Sequence, residues 1–152
     1  HENIGFGHVR LPETDMHTEA MWWKMPEDVC STYDNDALKN GMLGVANLLR
    51  IVCPLYLMCA SQDVVVVYQV KSPITDRPTI IIYDNYPGGV GLARKAYSMQ
   101  KLLLEKCLDI VTTCACSQGC PSCVGPIGEI GLDGKATAVR MIRSMLTRCE
   151  IG

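Results

Sequence analysis

The sequence lacks a long unbroken apolar run. Of its 152 residues 48% are hydrophobic, yet Asn47 and Arg50 interrupt the best candidate stretch and Pro54 follows close behind. A membrane span needs roughly 18 apolar residues in succession, so no membrane is expected among its partners. Charge of one sign is also missing: 14 bases against 16 acids leave a net charge of −2, which argues against a strongly basic, self-sufficient nucleic-acid binder. Neither G-x-x-x-x-G-K-[ST] nor G-x-G-x-x-G occurs, so nucleotide hydrolysis by these residues is not expected. No nucleophile stands beside a paired base, and no carboxylate pair has a credible catalytic spacing. No repeat or low-complexity tract is present, and the apolar fraction is too high for a disordered tail. The chain opens on His1 without a signal-type progression and reads as a piece of something longer.

What is present is uneven. Residues 1–40 hold eight acids against three bases, whereas residues 41–152 hold eight against eleven, a bias that weakly favours an anionic partner for the second part. The nine cysteines are uneven too. Cys30, Cys53, Cys59, Cys107 and Cys149 are scattered in the manner of small buried hydrophobes, while four others crowd into ten residues.

That crowded run is Cys114-Ala115-Cys116-Ser117-Gln118-Gly119-Cys120-Pro121-Ser122-Cys123. Four thiolates satisfy tetrahedral Zn²⁺ and leave no position for a reactive water, so the expected role is structural, with Cys114, Cys116, Cys120 and Cys123 as ligands of one zinc ion. Gly119 permits the positive φ of a tight ligand loop, and Pro121 stiffens the turn between the last pair. Two alternatives stay open: an iron–sulfur cluster on the same thiolates, and a redox pair formed by Cys120 and Cys123. His1, His8 and His17 all precede the first helix and read as exposed side chains.

Around the cysteines the pattern is mixed. Phe6–Arg10 and Met16–Met25 read as paired strands closed by Pro26, and adjacent Trp22 and Trp23 should point to opposite faces. Asp34 or Asn35 offers an N-cap to a helix ending near Val52, with Pro54 as its breaker. Val64–Val70 and Thr79–Asp84 are β-branched strands joined by a loop. Asp84-Asn85-Tyr86-Pro87-Gly88-Gly89-Val90-Gly91 then forms a strand-to-helix turn. Such a turn can cradle a phosphate, but close packing with Asp84 capping its amides is the better reading. One helix from Leu92 to about Thr112 and another after Gly134 complete the pattern. The fold class is α+β: an antiparallel sheet covered by about three helices, with a zinc knuckle between the last two. Arg94 and Lys95 on one helix, and Arg140 and Arg143 on another, are the candidate phosphate contacts.

The run Ile82-Tyr83-Asp84-Asn85-Tyr86-Pro87-Gly88-Gly89-Val90-Gly91-Leu92-Ala93, followed after one helix by Cys114-x-Cys116-x3-Cys120-Pro121-Ser122-Cys123-Val124, resembles the MrfA-type zinc-binding domain. That domain lies at the C-terminus of DEAD/DEAH-box-related superfamily 2 DNA helicases. The likeness extends more loosely through Thr18-Glu19-Ala20-Met21-Trp22 and the helix from Asp36. It implies that residues 1–152 are a single zinc-binding domain from the C-terminal part of an ATP-dependent, 3′-to-5′ DNA-repair helicase. Its four zinc-binding cysteines fall on Cys114, Cys116, Cys120 and Cys123. The motor domains of the same chain and, through them, DNA are the implied partners. The implied location is cytoplasmic, associated with the nucleoid when the parent acts on DNA. A protein-docking module without nucleic-acid contact is the milder alternative.

Overall fold

The computed structural model describes residues 3–12, 14–72 and 75–151, the last four by their backbone alone. His1 and the side chains of Arg148 and Cys149 therefore lie outside the described part. The β-branched and alternating segments form a four-stranded sheet of β1 (Ile4–Leu11), β2 (Met16–Lys24), β3 (Val64–Gln69) and β4 (Thr79–Asp84). Its strand order, β1-β2-β4-β3, could not be read from sequence, and every pairing is antiparallel. The pleat sends alternate side chains to one face. Met21, Trp23, Ile80, Ile82, Val64 and Val66 enter the common core with the helices. Trp22 turns the other way and stays half-buried. Its indole lies against the strand beside it, where a Cβ on Gly5 would come within 2.3 Å of the ring.

Two helices precede β3. The short α1 (Glu27–Thr32) was not anticipated in the sequence. The long α2 (Asn35–Leu57) is capped by Asp34, whose carboxylate accepts from the Ala37 N–H at 2.8 Å. Contrary to expectation, α2 does not stop before Pro54. The proline sits in its last turn, where the missing N–H removes only one hydrogen bond. Burial of Leu57 holds the helix beyond it. Met58 then adopts left-handed φ and the Cys59 N–H closes on the Pro54 carbonyl at 3.1 Å.

The same helix corrects the reading of apolar run length. At 23 residues, with an 18-residue stretch of mean hydropathy 1.3, α2 is long and apolar enough to cross a membrane. In this fold it is a core helix: Leu38, Met42, Val45, Leu48, Leu49 and Val52 are buried against the sheet and the other helices. Its contact with α6 (Gly134–Ile151) is close because Gly41 has no side chain. A Cβ there would lie 2.5 Å from Thr137 Cγ2.

The single helix expected from Leu92 to Thr112 is two, α3 (Leu92–Ser98) and α4 (Gln100–Thr113), separated at Met99. They serve different surfaces. Ala93 and Ala96 are buried on α3, which packs on the sheet, whereas Leu103, Leu104, Cys107 and Val111 bury the inner face of α4, which packs on α2 and α6. A straight helix would not serve both. A four-residue helix, α5 (Ile127–Ile130), also intervenes before α6.

The glycine turn before α3 is filled by its own chain. The buried Asp84 carboxylate accepts from the N–H groups of Val90, Gly91 and Leu92 at 2.5, 2.9 and 3.2 Å, and from Ala93 at 2.6 Å. These are the donors an anion would need, so the phosphate reading gives way to a structural one.

Candidate metal centre

α4 delivers the first cysteine. Cys114 is the C-cap residue of that helix, extended at φ −66° and ψ 133°, which turns the chain away from the helix axis. From there Cys116 projects back toward Cys114, and Gly119 at φ +131° reverses the chain. A Cβ on Gly119 would meet the Gly125 carbonyl at 2.7 Å as well as entering a strained backbone region. The second pair is fixed by a turn in which the Cys120 carbonyl accepts from the N–H groups of Cys123 and Gly125 at 3.1 and 2.9 Å. Asn47 of α2 secures the end of the loop, its amide donating to the Val124 carbonyl at 2.9 Å.

The result is a group of four thiol sulfurs, all within 4.8 Å of one another. Cys114 and Cys120 are 3.4 Å apart, Cys116 and Cys123 3.5 Å, and Cys120 and Cys123 3.8 Å. A tetrahedron of sulfurs about 2.3 Å from a central zinc has edges of about 3.8 Å. The sulfurs therefore converge on one tetrahedral hole rather than on separate pairs, and the donor set suits Zn²⁺. Such a site is closed, and its contribution is to folding.

Four thiolates around a dication leave an excess of negative charge, and a residue missed in the sequence answers it. Lys135, in the first turn of α6, places Nζ 3.1 Å from Cys116 Sγ and donates to the carbonyls of Cys114, at 3.3 Å, and Cys116. No cysteine spacing points to it. Its position does offer a signal: a lysine in the first turn opposes the helix dipole, and that local conflict needs an anionic neighbour. In the metal-free site burial pushes the Cys116 thiol up. The hydrogen bonds from Lys135 and then from the neighbouring cysteines outweigh this and bring it down to about 6. Burial dominates at Cys123, which is pushed up to about 12. Lys135 is itself raised, first by its bond to Cys116.

The other candidate residues lie elsewhere. Arg94 on α3 pairs with the buried Glu19 at 2.8 Å and lies over the Phe6 ring at 5.0 Å. The Lys95 ammonium donates to the Leu57 carbonyl at 3.4 Å. Both belong to the sheet side of the fold. Arg140 and Arg143 stand on α6 beside the cysteine loop, and the Arg140 guanidinium lies 5.9 Å from the Tyr33 ring. The four cations thus sit among two different sets of neighbours. His8 is exposed, 3.9 Å from Glu19, and neither it nor His17 joins the sulfur group. Cys53 and Cys107 are buried thiols, both raised by desolvation, as expected of apolar packing residues.

Fold and site together define a class: an α+β zinc-binding unit whose metal ties a helix end to a loop. The chain belongs to the MrfA Zn-binding domain family, whose model matches residues 45–124 and so includes all four cysteines. The uncharacterized ATP-dependent helicase YprA of Bacillus subtilis is 38% identical over 148 residues, a match covering 95% of this chain and 19% of the relative. The uncharacterized protein MJ1572.1 of Methanocaldococcus jannaschii is 38% identical over 77 residues, 47% of this chain and 67% of that protein. Among solved structures, the DUF1998 helicase MrfA bound to DNA is similar at a TM-score of 0.76 and 35% identity, covering 86% of this chain and 17% of that one. The same helicase bound to DNA and AMPPNP gives 0.66 and 35%, covering 91% and 17%. The chain spans about a fifth of the length of the Bacillus relative.

Proposed function

We propose that this unit is the zinc-stabilised accessory domain of an ATP-dependent DNA helicase that moves 3′ to 5′ and serves DNA repair, where it braces the motor or guides the strand. The observation that carries the reading is the coincidence of one closed tetrahedral thiol site with a fold similar, at 35% identity, to part of a helicase bound to DNA. ATP hydrolysis and unwinding belong in this reading to the motor domains of the parent, which are its first partners, and DNA is reached through them. The reading carries a cytoplasmic location, at the nucleoid during repair, where thiolates stay reduced.

The test is ATP-driven strand displacement by the full-length protein with and without Cys120→Ser. Displacement of a 3′-tailed duplex that falls at least about tenfold in the variant is the expected result, with one ligand lost from a folding-coupled site. A full-length protein without DNA-stimulated ATP hydrolysis would overturn it.

A further inference from the structure

Beside the metal loop lies an open groove of 410 Å³ lined by Ser117, Lys135, Ala136, Val139, Arg140 and Arg143. Three of these six residues are cations and none is an acid, in a chain whose net charge is −2. Arg140 and Arg143 are exposed and three residues apart on α6, so they lie on one face of the helix, with Cβ atoms about 5–6 Å apart. The Tyr33 ring lies to one side of the Arg140 guanidinium, which is 5.9 Å from the ring centroid. Among the described residues no carboxylate pairs with Arg140 or Arg143. Asp28, packed against the same helix from α1, accepts from Ser144 at 2.9 and 3.1 Å.

The opposite wall belongs to the metal loop. Ser117 follows a zinc ligand directly and exposes a hydroxyl. Lys135 binds the carbonyls of Cys114 and Cys116 and the Cys116 sulfur, so its ammonium joins the floor of the groove to the metal site. Guanidinium forks and a hydroxyl around a shallow open groove match phosphate oxygens spaced along a chain.

We propose that this groove binds the phosphate backbone of single-stranded DNA, with Arg140 and Arg143 as the contacts and the zinc loop as the wall that keeps it formed. This rests on the helicase reading above and deepens it. The groove gives the zinc a second consequence: stripping the metal loosens the loop that carries Ser117, and the phosphate site weakens with it.

The test is fluorescence anisotropy of a labelled single-stranded oligodeoxynucleotide with the zinc-loaded full-length protein over a range of salt. Each phosphate contact on a single strand contributes about 0.7 to the slope of log affinity against log salt. Arg140→Gln with Arg143→Gln should therefore lower that slope by about 1.4 and weaken binding several-fold at low salt, while zinc content and ATP hydrolysis without DNA stay unchanged. Arg140→Lys with Arg143→Lys should retain the slope, because it keeps the charges. Chelation of the wild-type protein should also weaken binding at low salt, and full affinity in zinc-free protein would show that the loop is not a wall of the groove. An unchanged slope in the glutamine variant, from a protein that still unwinds DNA, overturns the groove and leaves the helicase reading standing. A full-length protein that neither binds nor unwinds DNA overturns both.

Discussion

Cys116 and Lys135 set the chemistry of the metal-free site. A thiol held at about 6 is mostly ionised at neutral pH, so in metal-free protein Cys116 should be alkylated first by iodoacetamide. Its rate should rise as pH passes through about 6, with Cys123, pushed up to about 12, reacting last of the four ligand thiols. Mass mapping of labelled peptides checks the order, and zinc should abolish it. The sign for stability follows from the direction. A lowered thiol favours the ionised folded form, so its contribution is complete above the ordinary value of 9.0 and is lost as pH falls through about 6. Lys135→Met should move Cys116 back toward 9.0 and speed zinc transfer to a colorimetric chelator, with Lys135→Arg slowing it again. An unchanged alkylation order in the methionine variant would show that the ammonium does not matter. The four ligands were legible in sequence because they are neighbours along the chain. Lys135 was not, because the fold brings it from α6 across the intervening helix α5.

Elements show the same division. β3 and β4 were legible because β-branched residues dominate them, and the Asp34 cap because its side-chain chemistry is local. The limits of α2 and the break at Met99 were not, since both depend on what the helices pack against. Gln100 onward turns toward α2 and α6 while α3 stays on the sheet, and no local signal at Met99 announces it. Asp84 is the joint between sheet and helix. Asp84→Ala would strand four backbone donors, and urea unfolding should register a loss of about 3 kcal/mol; a loss below about 1 kcal/mol would mean that water replaces the carboxylate. Gly41→Val would drive a branched side chain into Thr137 and Met141. Overpacking of this kind costs about 2 kcal/mol, measurable in the same experiment, and full stability would indicate that α6 shifts freely on α2.

At the scale of the molecule, α4 and α6 pack on α2 and on each other, but the chain between them has few apolar side chains from Ala115 to Ser122. The metal supplies the order there that a hydrophobic cluster supplies elsewhere, holding the end of α4, the loop and, through Lys135, the start of α6. The α+β class was readable from alternating strand and helix patterns. Strand order was not, because pairing β2 with β4 joins segments separated by more than fifty residues. One zinc ion on Cys114, Cys116, Cys120 and Cys123 maintains this arrangement. The most direct measurement is elemental analysis of the purified chain combined with thermal melting before and after chelation. About one zinc per chain, no visible absorbance, and a melting temperature lower by about 10 °C or more once the metal is removed are expected. Iron with a visible band, or an unchanged melting temperature in metal-free protein, would contradict it.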